Sequence, residues 1–175
     1  MKYPDFILTA RQAVREVLPE LKTLLAPYGL DIEENTHYDW DDSPGAVAVY
    51  ESGSVFGKTI IFALNLPFSF EVLSDVIAEL GSDDPGGDIR EALSVSIWHE
   101  AIHGLWEYID DLLWNDAQVR RRAYAERWRV GAVDAFREDE EEAVEDCARW
   151  LAEHGLNTGN PPDTIRLLLD FHKIL

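Results

Sequence analysis

Hydrophobic residues recur at helical spacing along most of the chain, and one stretch has a different pattern. Over residues 4–26 the apolar positions fall on one side of a helix, in which Pro19 indicates a kink or a break. Residues 46–65 are rich in Val, Ile and Phe around a Ser-Gly-Ser turn, which predicts a β-hairpin or two neighbouring strands. Further helices are predicted over 69–81, 88–108, 116–130, 138–154 and 162–175.

These elements predict a mostly helical α+β fold with a small sheet or hairpin. A chain of 175 residues, 46% of them hydrophobic, can bury one compact core, so we expect a single domain over residues 1–175. The predicted helix 88–108 carries apolar residues on more than one face. We therefore expect this helix to be buried on most sides.

The strongly negative net charge of the chain argues against some classes of function. Its 34 acidic and 15 basic residues give a formal charge of −19, which argues against a surface that binds nucleic-acid phosphates. No apolar run approaches the length of a membrane span, and the single cysteine, Cys147, cannot form an internal disulfide. We therefore expect a soluble, cytoplasmic protein. The charge also fits an alternative: a non-catalytic regulatory protein that mimics DNA and binds a basic partner.

The sequence "WHEAIHG" (98–104) carries the strongest chemical signal. Residues four apart on a helix project side by side, so His99 and His103 can each offer a ring nitrogen to one metal ion. Glu100 is then placed to accept a proton from a metal-activated water that attacks a carbonyl carbon. This pattern is typical of zinc hydrolases, and we expect Zn²⁺ as the cofactor.

The motif has two alternative interpretations. His99 and His103 could be ordinary hydrogen-bonded histidines in a core helix, but burying two histidines and a carboxylate for packing alone is costly. Glu100 and His103 also fit the Glu-x-x-His pattern of di-iron carboxylate proteins. That architecture requires a second such pattern on another helix, and no other predicted helix contains one.

A catalytic zinc ion needs a third protein ligand. In the extended histidine motif, glycine would stand at Trp106 and histidine at Ile109, so that motif is excluded. The alternative is a carboxylate from the acidic segment 137–155.

Within this acidic segment, Glu142 and Asp146 have the Glu-x-x-x-Asp spacing in which the first acid binds metal. The second, one turn later, can then accept a hydrogen bond from a metal-bound histidine. Glu141 and Glu145 are the alternatives to Glu142.

The segments "WHEAIHGLW" and "EEEAVEDCARWL" together resemble the small gluzincin-type metallopeptidases. The chain looks most similar to the compact phage and mobile-element proteins related to the ImmA/IrrE type, over about residues 46–155. The resemblance implies a zincin-like fold, one Zn²⁺ and hydrolysis of peptide bonds. Position by position, it implies that His99 and His103 are ligands and that Glu100 is the general base. It further implies Glu142 as the third ligand, with Asp146 as the carboxylate behind a histidine.

On this interpretation the partner is a peptide or protein substrate, bound as an extended strand at a sheet edge. Residues 59–65 are the best candidate for that edge, although their apolar continuity fits an inner strand equally well. A hydrogen-bond donor to the oxyanion is also expected. Tyr108, Tyr124, His154 and the remaining histidines are candidates, and the sequence does not choose among them.

Overall fold

The computed structural model describes residues 1–36, 39–51, 59–125, 130–157 and 159–175. These residues are mostly helical and form one three-stranded mixed sheet. This confirms the prediction of a mostly helical α+β fold with a small sheet. No helix among them is long and apolar enough to cross a membrane. The helices are α1 (Tyr3–Leu25), α2 (Leu66–Leu80), α3 (Pro85–Asn115), α4 (Ala117–Ala125), α5 (Val130–Glu138), α6 (Glu140–His154) and α7 (Asp163–Asp170). The strands are β1 (Asp31–Glu34), β2 (Ala48–Glu51) and β3 (Thr59–Leu64), and 3-10 turns cover Ala26–Tyr28 and Phe171–Ile174.

The sheet has the order β1-β3-β2, so β3 is its central strand. β2 and β3 pair antiparallel, with Ala48 opposite Leu64, as the hairpin prediction required. The predicted Ser-Gly-Ser turn lies outside the described residues. β1 pairs with β3 in parallel. Of the two alternatives for 59–65, the inner strand is therefore correct and the exposed edge is wrong, because both sides of the β3 backbone are already paired.

α3 is the long central helix that carries both motif histidines. It begins at Pro85, where the Asp84 side chain caps it by accepting a hydrogen bond from the Gly87 N–H. The prediction of 88–108 was too short at both ends, since buried apolar positions continue to Leu113. α3 contacts α1, α2, α6 and the sheet, and its buried residues belong to one contiguous hydrophobic cluster with theirs.

Gly104, the last residue of the motif, allows α3 to lie directly against the sheet. A Cβ atom built at this position would lie 2.9 Å from Cγ2 of Ile60, on the central strand. Real Cβ contacts essentially never come so close. The missing side chain thus brings the histidine-bearing turns of α3 next to β2 and β3.

α6 brings the acidic segment to α3. Asp139 caps it by accepting a hydrogen bond from the Glu142 N–H, and three glutamates occupy the first turn, where the helix dipole favours negative charge. Its apolar side, which includes Val144, Ala148 and Leu151, is buried in the common core. The neighbouring side of the first two turns faces the histidines of α3.

Candidate metal centre

The two motif histidines lie side by side on α3, and their rings point towards α6. Their Nε2 atoms are 3.0 Å apart, as expected for residues one helical turn apart with converging rings. The His99 side chain keeps 18% of its surface exposed and that of His103 keeps 10%. The pair is thus mostly shielded from water but not sealed off.

Glu141, at the start of α6, completes a three-residue cluster with the histidines. One carboxylate oxygen lies 3.3 Å from His99 Nε2, and the other lies 3.5 Å from His103 Nε2. Metal–ligand bonds of about 2.0–2.1 Å at tetrahedral angles place two ligand atoms about 3.3–3.4 Å apart. The distance between the two Nε2 atoms and the shortest distance from Glu141 to each of them are near this value, although the two Glu141 distances involve different oxygens. One ligand atom from each of the three residues lies within 4.8 Å of the others, so the cluster could hold a metal ion.

The other ring nitrogen of each histidine faces a different carboxylate of α6. His103 Nδ1 lies 2.7 Å from Glu140 Oε1, and His99 Nδ1 lies 3.3 Å from Glu145 Oε2. An Nδ1–H that donates to a carboxylate leaves the lone pair on Nε2, directed at the cluster. A carboxylate beside each Nδ1 therefore favours the tautomer and the ring orientation that make Nε2 available to a metal ion.

Glu100 lies next to the cluster in a different environment from the surface acids. Burial raises the pKa of its carboxyl to about 8, and the nearby charge of Glu141 adds to the shift. The backbone N–H of Tyr50 donates a hydrogen bond to the Glu100 carboxylate, and this hydrogen bond lowers the pKa. A bound cation would also stabilise the carboxylate. Without a cation the carboxyl is therefore mostly protonated at pH 7, and a cation held in the cluster would make the proton-accepting carboxylate the main form.

Tyr50 on β2 is a site residue that the sequence reasoning missed. Its ring stacks on His103 at 5.8 Å between centroids and an angle of 7° between planes. Its hydroxyl lies 3.0 Å from Oε2 of Glu107, to which it donates. Burial, together with the charge of Glu107, raises the pKa of this phenol. β2 thus forms one wall of the site and holds one histidine ring in place.

The predicted third ligand and its companion acid lie elsewhere. Glu142 and Asp146 line a separate small cavity together with Ala135 and Thr164. An α-helix turns by about 100° per residue, so the step from Glu141 to Glu142 carries the carboxylate away from α3. The structure therefore places Glu141, one of the two alternatives, beside both histidines. Glu140 and Glu145 take the place expected for Asp146.

The predicted oxyanion donors are engaged in other contacts. The Tyr108 ring packs edge-on against Tyr28, and the Tyr124 hydroxyl interacts with Arg137. The His154 ring stacks on Trp150, whose carbonyl oxygen lies 3.0 Å from its Nδ1. His37 lies outside the described residues. None of these contacts involves the histidine cluster.

His99 of the cluster, together with Glu100 and Glu145, lines a groove of about 840 Å³. His99 and Glu100 lie at one end of it, and it extends along the N-terminal half of α3. α2 forms one wall and α6 the other, and residues 46–48 close the side next to β2.

No protein-family model matches the sequence, and no solved structure matches the chain.

Proposed function

We propose that the chain is a zinc-dependent metallopeptidase whose metal ligands are His99, His103 and Glu141. The observation that carries the proposal is the convergence of two Nε2 atoms and one carboxylate at 3.0–3.5 Å, with a carboxylate behind each Nδ1. Two imidazoles and one carboxylate are a common ligand set of catalytic zinc, which leaves one coordination position for water or substrate. When bound, Zn²⁺ acts as a Lewis acid that polarises a carbonyl and lowers the pKa of water.

The residues of the chain supply the proton transfers. Glu100 accepts a proton from the attacking water, whose oxygen forms a bond to the carbonyl carbon of the peptide. Glu100 then returns that proton to the leaving nitrogen as the carbon–nitrogen bond breaks. The carboxyl is mostly buried, and the Tyr50 backbone N–H donates a hydrogen bond that stabilises its ionised form.

The neighbouring glutamates of α6 provide a matched test of the ligand assignment. Glu141→Gln and Glu142→Gln remove the same charge from adjacent positions in the first turn of one helix, but only Glu141 faces the histidines. We expect Glu141→Gln to weaken zinc binding by roughly 10–100-fold and Glu142→Gln to leave it within about twofold. Calorimetric titration of the metal-free protein with Zn²⁺, checked by elemental analysis, measures both. Equal effects of the two substitutions, or no stoichiometric zinc in the wild type, would refute the proposal.

Glu100→Gln separates hydrolysis from metal binding. We expect this variant to bind zinc as tightly as the wild type and to lose hydrolysis of fluorescein-labelled casein, because the amide cannot accept the proton. The alternative of a non-catalytic acidic regulatory protein predicts no casein hydrolysis by the wild type. It also predicts binding to a basic protein that Glu100→Gln does not change.

A further inference from the structure

The groove that starts at the candidate metal centre has a length suited to a short peptide. From His99 back to Asp88, both of which line it, α3 rises by about 1.5 Å per residue, or roughly 16 Å in all. An extended chain advances about 3.3 Å per residue, so the groove can hold about five residues on this side of the reactive centre.

One wall of the groove is apolar and exposed. α2 contributes Leu73, Val76 and Leu80, and Val95 of α3 lies across from them. Leu80 keeps 76% of its surface exposed and Val76 keeps 46%. An apolar side chain of a bound peptide would cover these exposed side chains and remove apolar surface from water, which favours binding.

The floor and the opposite wall are acidic. Asp88 and Glu91 of α3 and Glu153 of α6 line the groove, in addition to the two carboxylates near the histidines. Arg149 also lines it, but its guanidinium is held by Glu145 at 2.6 Å. No Lys or Arg of the described ranges forms an ion pair with Asp88 or Glu91.

The acidic surface continues beyond the groove. An adjoining depression shares Asp88, Glu91 and Glu153 with it and adds Glu16 and Asp84. The one base there, Arg90, lies 3.8 Å from Glu16 and is matched by it. A chain running out of the groove therefore meets one further acid, Asp84, with which no Lys or Arg of the described residues forms an ion pair, and this favours an additional Lys or Arg in that chain.

From this combination of an apolar wall with an acidic floor, we infer that the groove binds an extended basic segment of a polypeptide, in which Lys or Arg residues flank an apolar side chain. The inference rests on the proposed function in treating the groove as the substrate channel of the metal centre.

Three labelled heptapeptides test the chemistry of the occupant. We use Lys-Ala-Lys-Leu-Lys-Ala-Lys, the same peptide with Ser in place of Leu, and Glu-Ala-Glu-Leu-Glu-Ala-Glu. Their binding to the full chain with zinc, carrying Glu100→Gln to prevent cleavage, is measured by fluorescence anisotropy. The Lys/Leu peptide should bind at least about tenfold more tightly than the Glu/Leu peptide and several-fold more tightly than the Lys/Ser peptide. Equal binding of the Lys/Leu and Glu/Leu peptides would overturn the inference.

Paired substitutions distinguish the groove from the general negative charge of the protein. Asp88→Asn with Glu91→Gln should weaken binding of the Lys/Leu peptide by roughly fivefold to tenfold. Asp75→Asn with Glu79→Gln removes the same charge from exposed positions of α2 outside the groove and should change binding by less than about twofold. Equal weakening by both pairs would show non-specific attraction and refute the inference.

Leu80→Ser tests the apolar wall and leaves the charges unchanged. The variant should lose most of the preference for the Lys/Leu over the Lys/Ser peptide, because the leucine side chain no longer meets an apolar surface. An unchanged preference would contradict this part of the inference.

The same set of measurements separates the two proposals. If the wild type binds no zinc and hydrolyses no casein, yet the Lys/Leu peptide depends on Asp88 and Glu91, the peptidase proposal fails and the groove inference stands. If zinc binding and hydrolysis are present but all three peptides bind alike, the groove inference fails alone.

Discussion

Gly104→Ala is the substitution whose effect follows most directly from the packing of α3 on the sheet. The added methyl group would lie 2.9, 3.1 and 3.2 Å from three side-chain carbons of Ile60. Ile60 is β-branched and lies on the central strand, so its side chain has little freedom to move aside. The clash must therefore be relieved by a shift of the helix or the strand.

Two opposing contributions set the magnitude. Overpacking of this kind typically costs about 1–3 kcal/mol, whereas replacing a helical glycine by alanine stabilises a helix by about 1 kcal/mol. We expect Gly104→Ala to lower the free energy of unfolding by about 1 kcal/mol. The sign should reverse when Ile60→Ala has removed the three clashing atoms. In that background, helix propensity and the burial of one methyl group should together stabilise the protein by roughly 1–2 kcal/mol.

Urea unfolding followed by circular dichroism measures all four proteins of this double-mutant cycle. Ile60→Ala alone should cost about 2–5 kcal/mol through the cavity it leaves, and the cycle should give an interaction energy of about 2 kcal/mol or more. If Gly104→Ala has the same sign and size in both backgrounds, the close packing of α3 on β3 is not what sets its cost.

Three further predictions concern zinc, a buried tyrosine and the single cysteine. Zinc at about 100 times its dissociation constant should stabilise the protein by about 2.7 kcal/mol and raise the thermal midpoint by roughly 5–10 °C. Scanning calorimetry should show that Glu141→Gln loses most of this increase, whereas Glu142→Gln keeps it. The buried Tyr28 hydroxyl donates to the Leu168 carbonyl, so Tyr28→Phe should cost about 1–2 kcal/mol in urea unfolding at pH 7. Burial raises the pKa of Tyr28 above that of an unfolded tyrosine. Its contribution is therefore complete below about pH 10, and the unfolding midpoints of wild type and variant should converge as the pH rises further. Burial also raises the pKa of the Cys147 thiol to about 11, so at pH 8 iodoacetamide should label it only after urea unfolding, as mass spectrometry can show.

The part of the site carried by a single helix was predictable from the sequence. His99, Glu100 and His103 depend on the spacing of residues along α3, and helical geometry alone brings the two imidazoles together. The structure shows both Nε2 atoms converging at 3.0 Å, as that spacing implies. The contact of Glu140 with His103 was not predicted, because it depends on the exact residue at which α6 begins.

The rotation of α6 about its axis decides which of its glutamates faces the histidines. Glu141 and Glu145 precede Ala148 on one helical stripe at intervals of three and four residues, whereas Glu142 does not belong to it. The Glu-x-x-x-Asp spacing favoured Glu142, although that residue lies nearly opposite Val144, Ala148 and Leu151 on the helix. The apolar stripe gives the rotation of α6 more directly, because burial of that stripe is what docks the helix.

The sequence by itself predicted most of the helices, the strands β2 and β3 and the histidine pair, because each depends on a period of about two or 3.6 residues within one element. It did not predict α5 or β1. Tertiary structure alone decided that β3 is the central strand, that Tyr50 stacks on His103 and that the groove combines an apolar wall with acidic walls. Those features join residues far apart in the chain, and only the packing of whole elements around one core brings them together. Periodicity describes the faces of a single element, whereas packing determines which faces meet.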